Sequence, residues 1–516
     1  MRRQLIGSIV ISILVAVSSD ANAALWMPQV FGDHMVLQQN QRIPVWGTAS
    51  PGEQVRVSLG SKVERTRAGD DGRWLVQLRA IAAGGPYTMT VTASGETKTF
   101  SDVLVGEVWV CSGQSNMQWP ISLSRDPEKE IAEANYPRLR LFYVERKTAG
   151  TPQNDCNAKW THTTPETAAE FSAVAYFFGR ELHTRQGVPV GLIHTSWGGT
   201  PAEAWMSRPA LDADRKFAPI LVRSDETSRA YSAARADWEK AHAAWGRERD
   251  KAVAEGRQPA EEPKAPAVPE DQYRPTFLYN AMIAPLAPYG IRGAIWYQGE
   301  SNAGRAYQYR QLFPAMILNW RDTWGQGAFP FVFVQLANFR DRQAEPVESE
   351  WAELREAQLM TLSLPNTGMA VAIDIGDAAD IHPKNKQDVG QRLWYAAERV
   401  AYGNKATAET GPLYDSVTYG GGQARVRFAN ARLGLKTMNN APVKGFAIAG
   451  ADYKFVWADA RIDGDTVVVS SPAVARPVAV RYGWADNPEC TLYNGAGLPA
   501  SPFRTDEQPG MTVGNE

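Results

Sequence analysis

Cysteine is scarce in this chain: Cys111, Cys156 and Cys490 are the only three among 516 residues. So few thiols, with no pair at metal-ligand spacing, exclude a disulfide framework and a cysteine-built metal centre. One disulfide with one free thiol is the most they allow. Cys111 lies in an apolar run and is expected to act as a small buried residue. Beyond the first 23 residues no uninterrupted apolar run is long enough for a bilayer, which excludes a membrane helix there. An excess of either charge is also missing. The 54 Lys and Arg nearly balance 56 Asp and Glu, for a net charge of −2. Without basic clusters, neither nucleic acid nor an anionic membrane is expected as the main partner. Histidine is scarce too, at six residues, so a general base can be sought by elimination.

Residues 1–23 join Arg2 and Arg3 to an apolar stretch, Leu5 to Val17, and then to Ala21-Asn22-Ala23. That order reads as a signal peptide cleaved before Ala24, with an apolar core too short for an anchor, and predicts a periplasmic or secreted protein. Its removal takes away Arg2, Arg3 and Asp20 and moves the net charge from −2 to −3. About 490 residues remain, enough for two or three domains. Aromatic residues are plentiful, with 17 Trp, 18 Tyr and 17 Phe. In an exported protein they leave room for sugar-stacking surfaces beside their ordinary place in the core.

From 24 to 100 the pattern alternates between short strands and turns, as in Ile43-Pro44-Val45-Trp46-Gly47 and the hairpin signal Asp70-Asp71-Gly72-Arg73-Trp74. A small β-sandwich is predicted. From 101 to 404 apolar strands alternate with helical stretches. Strands are expected over 103–111, 188–193, 293–297, 331–335 and 369–373, with a helix over 171–182. That rhythm predicts an α/β domain, a parallel sheet covered on both faces by helices. Within it, 207–276 departs from the pattern: an Ala-rich charged helix over 228–255, then a segment with Pro259, Pro263, Pro266, Pro269 and Pro275. Tyr231, Trp238 and Trp245 recur every seven residues and are expected to pack this inserted helix onto the body, with a glycan-stacking surface as the alternative. From 405 to 516 the chain is β-rich again, either as its own sandwich or packed with the N-terminal strands.

The chemistry concentrates at strand ends. The strand over 103–111 stops at Ser112-Gly113, and the glycine permits a sharp turn into Gln114-Ser115-Asn116. A serine there exposes its hydroxyl at the sheet edge where open α/β folds bind ligands. Among the histidines, His34 falls in the N-terminal strands and His242 on the inserted helix, while His162 and His183 lack catalytic partner types nearby. His194 ends a strand and is expected to be buried and hydrogen-bonded. His382 differs, because it lies in Asp374-Ile375-Gly376-Asp377-Ala378-Ala379-Asp380-Ile381-His382-Pro383. Residues two apart in an extended segment face the same way, so Asp380 can hold the Nδ1 proton of His382 and leave Nε2 free as a base. Pro383 restricts His382 to extended geometry. Ser196-Trp197-Gly198-Gly199-Thr200 and Tyr297-Gln298-Gly299-Glu300-Ser301-Asn302 follow two further strands and bring backbone N–H groups and amides to the same edge. Nucleophile, base, orienting acid and oxyanion donors are the parts of acyl transfer.

Four blocks, Gly113-Gln114-Ser115-Asn116-Met117, Ser196-Trp197-Gly198-Gly199-Thr200, Trp296-Tyr297-Gln298-Gly299-Glu300-Ser301-Asn302 and Asp380-Ile381-His382-Pro383, resemble in order those of sialate O-acetylesterases and related carbohydrate esterases of the SGNH hydrolase superfamily. The resemblance spans about 102–400 and implies an SGNH-like fold and a serine esterase that removes acetyl groups from sugar hydroxyls without metal or organic cofactor. It implies Ser115 as nucleophile, His382 as base, and an oxyanion hole from the N–H of Ser115, the N–H of Gly199 and the side-chain amide of Asn302. Gln114, Gln298 and Glu300 become substrate-binding candidates. In the superfamily's common last block the acid lies three residues before the histidine, a place held here by Ala379, so Asp380 is taken as the triad acid with Asp377 as the alternative. An α/β-hydrolase elbow would need glycine where Met117 stands. The expected partner is an acetylated carbohydrate, either a sialic acid or a plant cell-wall polysaccharide such as hemicellulose. Two rival readings are a glycoside hydrolase using Glu300 and Asp380 as paired carboxylates, and a non-catalytic glycan-binding protein.

Overall fold

One strand of 18 residues, Glu96–Gly113 (β1), organises the molecule. The computed structural model describes residues 24–93, 95–404, 410–431 and 433–516, so the expected signal peptide lies outside the described residues. The first part of β1 pairs antiparallel with Gly84–Ala93 in the N-terminal sheet. Its middle pairs parallel with Val36–Gln38, and its last seven residues enter the central sheet. The sequence reading began this strand at 103 and placed a domain boundary near 100; the strand crosses that boundary unbroken. Its early residues alternate in burial, whereas everything from Val103 onward is buried. Only the two-sided part reads as a continuous apolar run.

The central sheet adds Tyr136–Tyr143 (β2), Trp160–Thr163 (β3), Val190–Ser196 (β4), Gly293–Tyr297 (β5), Phe331–Gln335 (β6) and Thr367–Val371 (β7). Their order is β7-β6-β5-β1-β4-β2-β3. Every neighbouring pair is parallel except the edge pair β2 and β3. The chain leaves β1 to build one side of the sheet and returns to build the other. The carboxyl end of β1 is therefore the topological switch point, where open α/β sheets bind ligands.

The helices that matter for the site are Ser115–Gln118 (α1), Ala173–Gln186 (α2), Ala218–Ala254 (α3), Ala306–Trp324 (α4), Glu350–Met360 (α5) and Lys386–Tyr402 (α6). In α6 the buried residues Lys386, Val389, Gly390, Leu393, Trp394 and Ala397 form one stripe at helical spacing. Asn385 caps its start by accepting from Asp388 N, and Gly403 ends it in the left-handed region. At Gly390 a Cβ would lie 2.5 Å from Phe177 Cβ and 2.7 Å from Phe178 N. The missing side chain lets α6 lie directly on α2, which brings the His382 loop over the end of β1.

The N-terminal strands share one apolar core with the central sheet. The C-terminal strands have their own, built from Val426, Phe428, Phe446, Val467, Val480 and Phe503 between two four-stranded sheets. Of the two expected arrangements, this is the separate sandwich. The inserted helix α3 starts ten residues earlier than the aromatic pattern suggested and buries only Ile220 and Ala252. Its tryptophans do not pack on the body, a departure from the sequence reading. Trp238 and Trp245 donate their indole N–H to Pro263 O and Ala260 O, each at 2.8 Å, so the Pro-rich segment runs back along the helix and covers the stripe. Unpaired proline-segment carbonyls find donors this way. All three cysteines are free thiols, with Cys111 and Cys156 buried, and no disulfide forms. Among the described residues no helix is long and apolar enough to cross a membrane.

Candidate active site

Register aligns the three strand ends. Gly113 at the end of β1 pairs with Ser196 at the end of β4 and with Tyr297 at the end of β5, so the polar blocks that follow leave the sheet at one level. Gly113 has φ 143°, and a Cβ there would sit 2.1 Å from Tyr297 O. No other residue can make this exit. Ser115 is then the first residue of α1 and is half-buried at the edge. The N–H groups of Ser115 and Gly199 form no hydrogen bond among the described residues, which leaves both available to an oxyanion. Gly198 N–H is committed to Gln118 Oε1 at 2.7 Å.

His382 lies over the same turn. Its ring stacks on Trp119 with centroids 4.6 Å apart and planes 13° from parallel. Asn116 Nδ2 donates to Ile381 O at 3.0 Å, tying the residue after Ser115 to the one before His382. No hydrogen bond joins Ser115 to His382 among the described residues, and hydrogen bonds between a nucleophile and its base commonly tighten only around substrate. Asp380 Oδ1 is 3.4 Å from His382 Nδ1 and accepts His382 N–H at 2.8 Å. Asp377, the alternative, is exposed and accepts from Ala379 N in its own turn. Geometry thus sets Asp380, not Asp377, beside the ring. Burial and then the Lys386 cation lower the His382 pKa, and Asp380 opposes them without reversing the direction.

Asn302 is buried, with Nδ2 donating to Glu203 Oε2 at 2.9 Å and Oδ1 accepting from Ala202 N and Gln298 Nε2. One of its two amide hydrogens is therefore engaged and the other is not required by Glu203. Three substrate-binding candidates turn inward, a correction to the sequence reading. Gln114 Oε1 accepts from Gly299 N and Ser301 N. Gln298 bonds Asn302, Thr200 O and the Tyr309 hydroxyl, and is fully buried. Glu300 Oε1 accepts from Asn116 at 2.6 Å, and its Oε2 is buried without a partner. Gln114 and Gln298 are buried and satisfy loop backbone that the sheet no longer pairs, and the half-buried Glu300 braces Asn116. His194 is buried and bonded to Ser196 Oγ, as expected, and burial lowers its pKa to about 3.

A family model described as carbohydrate esterase, sialic acid-specific acetylesterase, matches residues 268–399. The sialate O-acetylesterase of Rattus norvegicus is 30% identical, over 96% of this chain and 97% of its own length. The chain belongs to the sialate O-acetylesterase family. The sialate O-acetylesterase of Homo sapiens is 29% identical over 98% of both chains. The crystal structure of a carbohydrate acetylesterase from Xanthomonas citri superposes with a TM-score of 0.80 at 40% identity, covering 94% of this chain and 100% of that one. The expected fold class holds, and the protein is a carboxylic ester hydrolase acting on acetylated carbohydrate.

In this esterase a cavity of about 640 Å³ opens beside the strand ends, lined by Gly199, Glu203, Arg223, Tyr231, Ser301 and Arg305 among others. The insertion supplies Arg223 and Tyr231, so α3 shapes the cleft. Arg305 and Arg223 share one oxygen of the buried Glu203, at 2.7 and 3.3 Å. Burial works to raise the Glu203 pKa, but Arg305 and the Asn302 amide outweigh it and the carboxyl is held below its ordinary value. Arg223 Nη1 is buried without a partner. Sequence reading missed Arg223, Glu203, Trp119 and Lys386; a charged residue in an insertion or at a helix start carries no local sign of which pocket it enters. The one metal-capable group among the described residues, His34, Asp102 and His162, lies where the N-terminal strands meet β3, outside this cleft. Arg140 Nη1 is 2.8 Å from Asp102 Oδ2, so a guanidinium already supplies the cation there.

Proposed function

We propose that the esterase works through an acetyl-serine intermediate on Ser115 and that its substrate is an acetylated acidic sugar, of which sialic acid is the case named by the family. The observation that carries the mechanism is the junction of Ser115 and His382: the serine starts a turn whose next residue bonds the histidine loop and whose Trp119 stacks on the ring. His382 Nε2 takes the Ser115 proton as Oγ attacks the acetyl carbonyl. The N–H groups of Ser115 and Gly199 and the Asn302 amide receive the oxyanion. Collapse expels the sugar alkoxide, which takes the proton from His382, and leaves acetyl-Ser115. Water then attacks with His382 as base again, releasing acetate. Asp380 orients the ring.

Arg223 and Arg305 support the acidic sugar over neutral hemicellulose. Two guanidinium groups share one carboxylate, and Arg223 lines the cleft with its Nη1 left without a partner; a sugar carboxylate reaching that group would complete the pairing. Acetate release from O-acetylated sialic acids and from acetylated hemicellulose fragments, compared between the protein and Ser115→Ala, tests both parts. Release is expected to vanish with the serine and to favour the acidic sugar, with Arg223→Gln raising KM for that sugar alone. Equal release by Ser115→Ala would overturn the serine mechanism, and preference for the neutral fragments would overturn the substrate. The leader-like residues 1–23 support export to the periplasm or beyond. Mature protein beginning at Ala24 would agree with export, and retained Met1 would not.

A further inference from the structure

The acyl-transfer steps leave unused a fully buried lysine. Lys386, the first residue of α6, has no exposed surface. Its Nζ donates to Asn116 Oδ1 at 2.5 Å and faces the rings of Tyr297 and Trp119, 5.5 and 5.9 Å from their centroids. A lysine so enclosed is costly to fold, because an ammonium group loses its hydration. Nothing in the packing of α6 demands one, since every other residue of its buried stripe is apolar or glycine.

Asn116 is where the lysine acts. Its oxygen is fixed by Lys386, so its Nδ2 must point the other way, where it meets Glu300 Oε1 at 2.6 Å and Ile381 O at 3.0 Å. One amide thus joins the nucleophile turn, the loop after β5, the His382 loop and the start of α6. We propose that Lys386 is a positioning residue for the hydrolysis: it fixes the Asn116 amide, thereby locks the Ser115 turn against the His382 loop, and sets a cation beneath the pair that exchanges the proton. This rests on the serine reading given above.

The charges around the pair agree with such a role. Lys386 and Asp380 are the charged groups acting on His382, with the lysine favouring the unprotonated ring and Asp380 the protonated one. Glu300 and Asp380 act on Lys386 in turn, and burial still brings its pKa down to about 7. Burial raises the Glu300 pKa, against the hydrogen bond from Asn116 and the nearby lysine.

Lys386→Met keeps the apolar stem and removes the charge. It is expected to lower kcat on the order of 100-fold, the penalty for loosening a reacting geometry, with little change in KM. The acid limb of kcat/KM should move to higher pH, because His382 loses the cation that opposes its protonation. Its melting temperature should change little, because relief of the buried ammonium offsets the donor that Asn116 Oδ1 loses. Asn116→Ala leaves the cation and breaks the link, so the loss in kcat should appear without the shift in the acid limb. A wild-type kcat in Lys386→Met would overturn the proposal. So would a loss in Lys386→Met that tracks a lower melting temperature with an unmoved limb, which is what a merely structural lysine would give. Ser115→Ala measured alongside separates the two readings: retained acetate release there sinks the serine mechanism itself, whereas an inactive Ser115→Ala with an unaltered Lys386→Met sinks the lysine proposal alone.

Discussion

His382 is pulled in two directions, and the winner decides the working pH. Burial and Lys386 favour the neutral ring, Asp380 favours the charged one, and the net direction is down from 6.5. In the proposed mechanism the neutral ring is the base, so the acid limb of kcat/KM is expected below pH 6.5, and a pH series on the wild-type protein checks it. Asp380→Asn removes the one influence that raises the value and should move that limb lower still. Asp380 is 47% exposed and 3.4 Å from the ring, so its loss should cost turnover by roughly 100-fold, the low end for a positioned proton-transfer partner. A loss near 10⁴, typical where the acid is buried and tightly bonded, would mean the loop closes further around substrate. Ser115 and His382 stand out as candidates in the sequence because each carries a local sign: a serine one residue past a turn at a strand end, and a histidine among acids left after the other five are assigned. Lys386 does not. Its partner Asn116 is 270 residues away, and an isolated lysine at a helix start reads as solvated until the fold encloses it.

At the scale of elements, the close contact of α6 with α2 carries the His382 loop to the Ser115 turn. Alanine in place of Gly390 gains about 1 kcal/mol of intrinsic helix propensity. Its Cβ would meet Phe178 N at 2.7 Å, a backbone atom that cannot rotate away, and overpacking of this kind costs about 1–3 kcal/mol. Steric cost is expected to win: Gly390→Ala should lower the urea midpoint and reduce kcat more than KM worsens, because the His382 loop leads directly into α6. Unchanged kcat with an unchanged midpoint would show that the helices can slide apart freely. Of the parallel strands, β1, β4, β5, β6 and β7 are legible because strands buried on both faces are unbroken apolar runs, with β4 and β5 ending within three residues of their expected limits. By contrast β2, Tyr136–Tyr143, begins with half-buried and exposed residues and is not legible. The strand β7 was placed two residues late and α3 ten residues short at its start. In both places the missing residues are polar or mixed, and their state is set by neighbours in space instead of by local period. The covering of the α3 tryptophans by proline-segment carbonyls was likewise invisible, since a stripe at helical spacing says that something packs there but not what.

Across the whole molecule, the C-terminal sandwich braces the loop that carries His382. Arg355, fully buried, donates to Leu336 O and Ala337 O of the central domain and to Ala485 O and Asp486 O of the sandwich, at 2.7–2.9 Å. Burial lowers its pKa to about 10, which still leaves it charged across the range in which the esterase would be assayed. Beside it, Asn487 Oδ1 accepts from Asn338 Nδ2 at 2.8 Å, and Asn338 Oδ1 accepts from Gly376 N at 2.7 Å. Tyr493 adds a bond to Asp374, which Arg392 of α6 already grips with two. The segment from Asp374 to His382 is therefore held at its start by two residues of the sandwich. Asn487→Ala frees Asn338 Nδ2 and also leaves Arg340 O without its donor. Losing two part-buried bonds at about 1 kcal/mol each should leave the fold standing and loosen the loop. The expected result is faster amide exchange at residues 374–382 and a roughly tenfold lower kcat, about 1.4 kcal/mol in the barrier, with KM nearly unchanged because the cleft residues are untouched. Exchange that quickens only within the sandwich, with kcat intact, would confine the C-terminal module to stability and leave His382 to be held by Asn116 and Trp119 alone.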